Sequence, residues 1–288
     1  MEEGFSVAGR RFRFIVAVSM GKPAAKFVLC FDFDGTMVLP EADPIFHPAL
    51  GQMIKQLRAQ GAAWVVNTGR TLEHTLHGLA QYGLFMEPDY LIVRECDVYR
   101  PGLLRRWTDF GSWNREARRA HRRFVREHKA FFEAVRTFLA EHTESELLEG
   151  DHGDIGIVSA SISEMDRICE WIEAQRPANP DIGYQRNTIY LRFAHTRYSK
   201  GTALGELSRL LQITPAQVFA AGDNFNDLSM LDPLYAGQIA CPANALPPIK
   251  THVRGHGGYL ASRPASEGMI QALAHFFGGA PAVEETSE

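Results

Sequence analysis

Apolar residues run without a break through Phe27-Val28-Leu29-Cys30-Phe31 and stop at Asp32-Phe33-Asp34-Gly35-Thr36. Such a run, closed by a turn signal, predicts a strand buried on both faces, the kind found inside a parallel sheet. Residues 62–66 and 218–221 repeat the pattern and end in Asn67-Thr68-Gly69-Arg70 and Gly222-Asp223-Asn224-Phe225-Asn226-Asp227. Between the strands the spacing turns helical. Leu50, Met53, Ile54 and Leu57 predict a helix over 49–60 that Gly61 stops, and a second helix follows over 71–81. Ser199-Lys200-Gly201 opens a third, carrying Leu204, Leu207, Leu210 and Leu211. A short helix through Leu231, strands at 239–240 and 259–261, and a closing helix over 267–277 complete the pattern. Strand and helix in alternation imply a parallel sheet with right-handed crossovers.

The middle of the chain reads differently. Short strands are expected at 90–93 and 98–100 around a turn, then one long helix over 114–140 with Ala117, Ala120, Phe124, Phe131, Val135 and Phe138 on one stripe. A strand at 155–159 follows. A helix is expected to begin at Ser163, with Asp166 three residues on as a near capping box. A turn at 177–181 leads to a hairpin, 183–186 and 188–193, across Asn187. This is an α+β unit set inside an α/β one. The expected division is an extension over 1–19, a core over 20–82 plus 194–280, an inserted domain over 83–193 and a flexible tail over 281–288.

Composition narrows the picture. The 288 residues are 45% hydrophobic and 22% charged, with a net charge of −4, so no global signal points to nucleic acid or an anionic membrane. The helix face bearing Arg118, Arg119, Arg122, Arg123, Arg126 and Lys129 is interrupted by Glu116 and Glu127 and lacks interleaved aromatic residues. It reads as a solvated face, with no nucleic-acid partner. No apolar stretch nears the roughly 20 residues of a membrane span. The cysteines Cys30, Cys96, Cys169 and Cys241 show no paired spacing and read as reduced thiols of a cytoplasmic protein. Arg10-Arg11-Phe12-Arg13 before an apolar stretch makes a poor signal peptide, and Met20 is an alternative start.

Chemistry is expected at the strand ends, where open α/β sheets gather ligands. Residues two apart in a strand point the same way, so Asp32 and Asp34 can face one pocket. Two like charges that close call for a cation or a shared proton, and a hard ion such as Mg²⁺ prefers oxygen ligands. The plainer reading of Asp-Phe-Asp-Gly is a polar strand end and a turn.

In order, Asp32-x-Asp34-Gly35-Thr36, Thr68-Gly69-Arg70, Ser199-Lys200-Gly201 and Gly222-Asp223-x-x-Asn226-Asp227 resemble the four motifs of the haloacid dehalogenase-like hydrolases. Pro242-Ala243-Asn244-Ala245 and Glu267-Gly268 resemble late landmarks of that family. The resemblance covers the sheet segments on both sides of the insertion. It implies a Rossmann-like core and a Mg²⁺-dependent phosphatase working through an aspartyl-phosphate. Asp32 would be the nucleophile and Asp34 the acid and base. Thr68, Gly69 and Lys200 would hold the phosphoryl group. Mg²⁺ would sit on Asp32, the Asp34 carbonyl and Asp223, with Asn226 and Asp227 orienting Lys200 or a metal-bound water. The insertion lies where the family's C2 caps lie and looks most like those of sucrose-phosphate-phosphatase-like and Cof-type members. The implied partner is a small phosphorylated metabolite, a sugar phosphate first. A phosphomutase and a non-catalytic phosphate-binding relative are the alternatives. One departure stands out: the turn after the first strand of the insertion commonly holds Asn-Gly in that group, and here it is Arg94-Glu95-Cys96-Asp97.

Overall fold

The computed structural model describes residues 24–84, 86–103, 106–150 and 154–278. The expected extension over 1–19 and tail over 281–288 lie outside them. The chain begins with β1 (Phe27–Phe31), α1 (Pro48–Ala59), β2 (Ala62–Asn67) and α2 (Leu72–Gln81). Then come β3 (Tyr90–Val93), β4 (Asp97–Pro101), β5 (Trp107–Asp109), α3 (Trp113–Glu127), α4 (Lys129–His142), β6 (Glu146–Glu149), β7 (Ile155–Val158), α5 (Ile162–Gln175), β8 (Ile182–Asn187) and β9 (Tyr190–His195). It closes with α6 (Lys200–Leu211), β10 (Val218–Ala221), β11 (Gln238–Cys241), α7 (Pro247–Gly255), β12 (Tyr259–Leu260) and α8 (Ala265–Phe277).

These strands form an eight-stranded sheet, ordered β12-β11-β10-β1-β2-β3-β4-β5, and a four-stranded sheet, ordered β6-β7-β9-β8. The central pairs β1–β10 and β1–β2 are parallel. In β1, Val28 and Cys30 enter one hydrophobic cluster with Leu204, Leu207 and Ile249, while Leu29 and Phe31 enter another with Leu50, Ile54 and Met269. The unbroken apolar run is thus one strand serving two helical layers.

The structure corrects four expectations. First, the strands at 90–100, expected inside the insertion, extend the large sheet: β3 pairs parallel with β2, and β4 and β5 continue antiparallel. The reason is burial on both sides, with Ile92 and Val98 in one cluster and Leu91 and Val93 in the other. Second, the helix expected over 114–140 is two. His128 leaves the helical region at φ −107, ψ 28, and its ring Nδ1 lies 3.0 Å from the Phe124 carbonyl oxygen. Apolar periodicity runs through the break and hides it. Third, the cap of α5 is Ser161, whose side chain accepts from the Glu164 amide, not Ser163. Fourth, β6 and α7 form where no element was expected.

The four-stranded sheet is wholly antiparallel and carries α4 and α5 on a cluster that includes Phe131, Val135, Ile157, Ile168, Ile172 and Phe193. Helix α3 joins the two sheets. At its start Trp113 and Ala117 pack into the large sheet's core, and near its end Phe124 packs into the small one's. Buried Asn114 fixes the start: its Oδ1 accepts from the Val98 amide at 2.6 Å and its Nδ2 donates to the Val98 carbonyl at 2.9 Å. Among the described residues no helix is long and apolar enough to cross a membrane.

Candidate active site

The carboxyl ends of β1, β2 and β10 converge, and each delivers a polar residue directly after its buried stretch. Asp32 follows β1, Thr68 follows β2 and Asp223 follows β10 by two residues. Gly35 has a left-handed φ of +77, and the Asp223 carboxylate fills the space a Cβ there would need. Thr36 Oγ1 donates to Asp223 Oδ1 at 2.8 Å, joining the first and last motifs. Lys200 is the first residue of α6, set there by a capping box between Ser199 and Thr202. Its ammonium is fully buried and donates to Asp32 Oδ1 at 2.6 Å and to Asp227 Oδ1 at 2.7 Å. The other Asp227 oxygen accepts the amides of Asp223 and Asn224 at 2.8 and 2.9 Å. Asp227 thus has both oxygens engaged and fixes the lysine and the loop together.

Carboxylate oxygens of Asp32, Asp223 and Asp227 lie within 4.8 Å of one another. Burial pushes the Asp32 carboxyl well above its usual range, with Lys200 opposing and Asp227 and Asp223 adding to the rise. Burial, then Asp227, push Asp223 up to about 7. At Lys200 burial disfavours the charge, but Asp227 and Asp32 outweigh it and its pKa rises. Three acids around one ammonium leave an excess of negative charge that water is too scarce to screen. All the donors are hard oxygens, so the cluster fits a divalent cation. Since Asp227 is occupied, Asp32 and Asp223 are the side chains that would hold it.

Asp34 lines the same cavity as Asp32 but has a different partner. Arg70 grips it with two bonds, Nε to Oδ2 at 2.7 Å and Nη2 to Oδ1 at 2.5 Å. The Arg70 guanidinium also lies 4.9 Å from the centre of the Phe33 ring. Its part in holding Asp34 is not visible in the Thr-Gly-Arg motif alone. Asn226 donates from Nδ2 to Glu95 Oε1 at 3.1 Å. Glu95 was not among the expected site residues. Its only sequence signal is the departure at Arg94-Glu95, where Asn-Gly is usual. His195 lines a neighbouring chamber and not this site.

A cavity of about 800 Å³ opens over Asp32, Asp34, Thr68 and Gly69 and is roofed from the small sheet by Asn187, Tyr190 and Arg192. The β8–β9 hairpin tip is fastened to the Asp223 loop: Asn224 Nδ2 donates to Asn187 Oδ1 at 3.0 Å and to Thr188 Oγ1 at 3.2 Å.

Comparison with known proteins gives two family matches on complementary parts of the chain. Residues 25–96 match the model for sucrose-6F-phosphate phosphohydrolase, and residues 121–256 match that for a haloacid dehalogenase-like hydrolase. The Bacillus subtilis protein YxeH is 40% identical over 61 residues, which span 21% of this chain and 22% of that relative's length. Among solved structures, the Synechocystis sucrose-phosphatase in complex with sucrose and phosphate superposes with a TM-score of 0.67 at 19% identity, covering 88% of this chain and 98% of that one. A sugar phosphatase of haloacid dehalogenase subclass IIB superposes with a TM-score of 0.59 at 15% identity, covering 87% and 98%. At these identities the structural likenesses establish the fold.

Proposed function

For a chain that belongs to the haloacid dehalogenase-like hydrolases, we propose hydrolysis of a small phosphate monoester, a sugar phosphate by preference, through a phosphorylated Asp32. The observation that carries this is Lys200, buried between Asp32 and Asp227 at the sheet's carboxyl edge, beside Asp223. A carboxylate already aligned by a fixed cation is suited to attack phosphorus.

The substrate's phosphoryl group sits over Asp32, where the Thr68 hydroxyl and the backbone at Gly69 bind its oxygens. An Asp32 oxygen forms a bond to phosphorus as the bond to the leaving oxygen breaks. Asp34 gives that oxygen a proton, then takes one from the water that attacks the aspartyl-phosphate and frees inorganic phosphate. Arg70 holds both Asp34 oxygens, so this proton traffic requires the Asp34–Arg70 pair to part as substrate enters. Lys200 offsets charge gathering on the phosphoryl oxygens. Asp32, Asp223 and the Asp34 carbonyl would hold a Mg²⁺ ion, which would supply charge neutralisation between nucleophile and substrate. The small sheet with α4 and α5 serves as the cap that excludes water. The related sucrose-phosphatase and sugar phosphatase folds support the sugar-phosphate preference.

The test is phosphate release from a panel of phosphorylated metabolites, with and without Mg²⁺, beside Asp32→Asn. Metal-dependent turnover should fall by about a thousandfold or more in the variant, as expected when a covalent nucleophile is lost. Turnover that survives the substitution would overturn the mechanism.

A further inference from the structure

The turn joining β3 to β4 places a carboxylate where the phosphatase reading has no use for one. Glu95 is 8% exposed, and its Oε1 accepts from Asn226 while its Oε2 has no partner. Two neighbours are in the same condition: Asn226 Oδ1 and Arg192 Nε are buried without a hydrogen bond. All three residues line the cavity that opens over Asp32. A buried polar atom left unpaired is costly, and native proteins keep few of them. Here three such atoms, two oxygens and an N–H, belong to residues that line one cavity.

The local backbone is shaped to put Glu95 there. Arg94 and Glu95 have φ of +51 and +69, a left-handed conformation that non-glycine residues rarely hold in succession. The turn is bonded to the second motif at two points: the Arg94 amide donates to the Arg70 carbonyl at 2.9 Å, and the Glu95 amide to the Thr68 carbonyl at 3.1 Å. Gly69 leaves the space that Glu95 Oε1 enters, since a Cβ there would collide with that oxygen. From the other side Arg94 is paired with Asp154 at 2.7 Å, and Arg192 reaches both Asp154 at 2.8 Å and the Arg94 carbonyl at 3.0 Å. Strain maintained by so many contacts marks a functional position.

We propose that Glu95, with Asn226 and Arg192, forms a subsite for a hydroxyl-bearing leaving group and makes the enzyme select polyhydroxylated phosphate esters. A hydroxyl both donates and accepts, so one hydroxyl can give its proton to Glu95 Oε2 and receive the Arg192 Nε proton, while a neighbour donates to Asn226 Oδ1. Rotation about the last side-chain bond of Glu95, a soft torsion, turns Oε2 toward the cavity. Burial also raises the Glu95 carboxyl above its usual range. A leaving group without hydroxyls leaves all three atoms unpaired and is discriminated against for that reason. This inference rests on the phosphatase reading.

The experiment compares a panel of sugar and polyol monophosphates with p-nitrophenyl phosphate, whose leaving group offers no such hydroxyls, in wild type, Glu95→Gly and Glu95→Gln. Glycine suits the left-handed backbone, so the turn persists without the carboxyl, and circular dichroism checks the fold. The readout is the ratio of kcat/KM for the best polyol ester to that for p-nitrophenyl phosphate. It should fall about 10- to 100-fold in Glu95→Gly, the range set by one lost hydrogen bond involving a charged or buried group, and less in Glu95→Gln. A general disturbance of the Thr68–Arg70 loop would lower both substrates together and leave the ratio in place. A ratio within about threefold of wild type would overturn the subsite, since a real contact costs more than that. Wild-type turnover of p-nitrophenyl phosphate with none of any polyol ester would overturn it too. Turnover of neither would bring down the phosphatase reading itself, and the subsite with it.

Discussion

Two networks of charged side chains meet at the active-site cavity, and they are built on opposite terms. Asp32, Lys200 and Asp227 are sealed in the end of the large sheet, with the lysine and Asp227 fully buried. Asp154, Arg94, Arg192 and His121 lie where the two sheets meet, with side chains 16–29% exposed. The sealed network cannot relax into solvent, so its excess of negative charge persists and suits a cation. The half-exposed network sets one carboxylate, Asp154, against two arginines, and water can screen it. At Asp154 burial works to raise the carboxyl, but Arg192 and Arg94 outweigh it and hold it below the usual range. Position thus decides whether the same functional groups do chemistry or hold two units together.

The contrast can be broken most directly at Lys200. Lys200→Ala should cost about 3–5 kcal/mol in urea unfolding, because it strands Asp32 and Asp227 without their cation. A loss under about 1 kcal/mol would mean that the sealed site hydrates freely and behaves like a surface pair. The next largest effect is expected at the sheet junction. Asp154→Ala should cost about 1 kcal/mol, since its arginine partners can turn to water. Protease cleavage between the two sheets should quicken by more than global stability predicts.

Glu164 sharpens the comparison, because its carboxylate is held chiefly by neutral donors. It accepts from the amides of Glu144 and Ala160 at 2.8 and 3.1 Å and from the hydroxyls of Ser145 and Ser159 at 2.7 and 3.2 Å. The Glu144 amide and the Ser145 hydroxyl are the main reasons its carboxyl drops from 4.5 to about 2. A depressed carboxyl stabilises the fold above its unfolded pKa and loses that contribution as pH falls toward the folded one. Tm should therefore decline between about pH 4.5 and 2, and part of that decline should vanish in Glu164→Gln. An identical acid limb in both proteins would remove Glu164 from the account.

Much of the large sheet was legible because each central strand is one apolar run ended by a turn, and because the reactive residues follow the runs directly. Asp32, Thr68, Lys200, Asp223 and Asp227 come together as their positions imply. The small unit was harder. Its helices share one apolar stripe across His128, so periodicity carries no trace of the break. Strand β6, Glu146–Glu149, is mostly exposed and lacks an apolar run altogether. The membership of β3–β5 depended on which sheet their edges would meet, a long-range matter that local pattern does not encode. Arg70 and Glu95 escaped for a related reason: their partners, Asp34 and Asn226, are far away in sequence, and only the closed fold makes them neighbours.

The bonds from Asn224 to the β8–β9 hairpin tie the cavity's roof to its floor. They are neutral and lie at the rim, so breaking them exchanges two protein contacts for two contacts with water, at a net cost of about 1–3 kcal/mol. They act beside the Arg94–Asp154 and Arg192–Arg94 contacts, which also join the small sheet to the large one. Because Asn224 adjoins Asp223, these bonds and the Asp223 carboxylate share one short loop. Any movement of the hairpin is thereby tied to the same few atoms that shape the floor of the cavity.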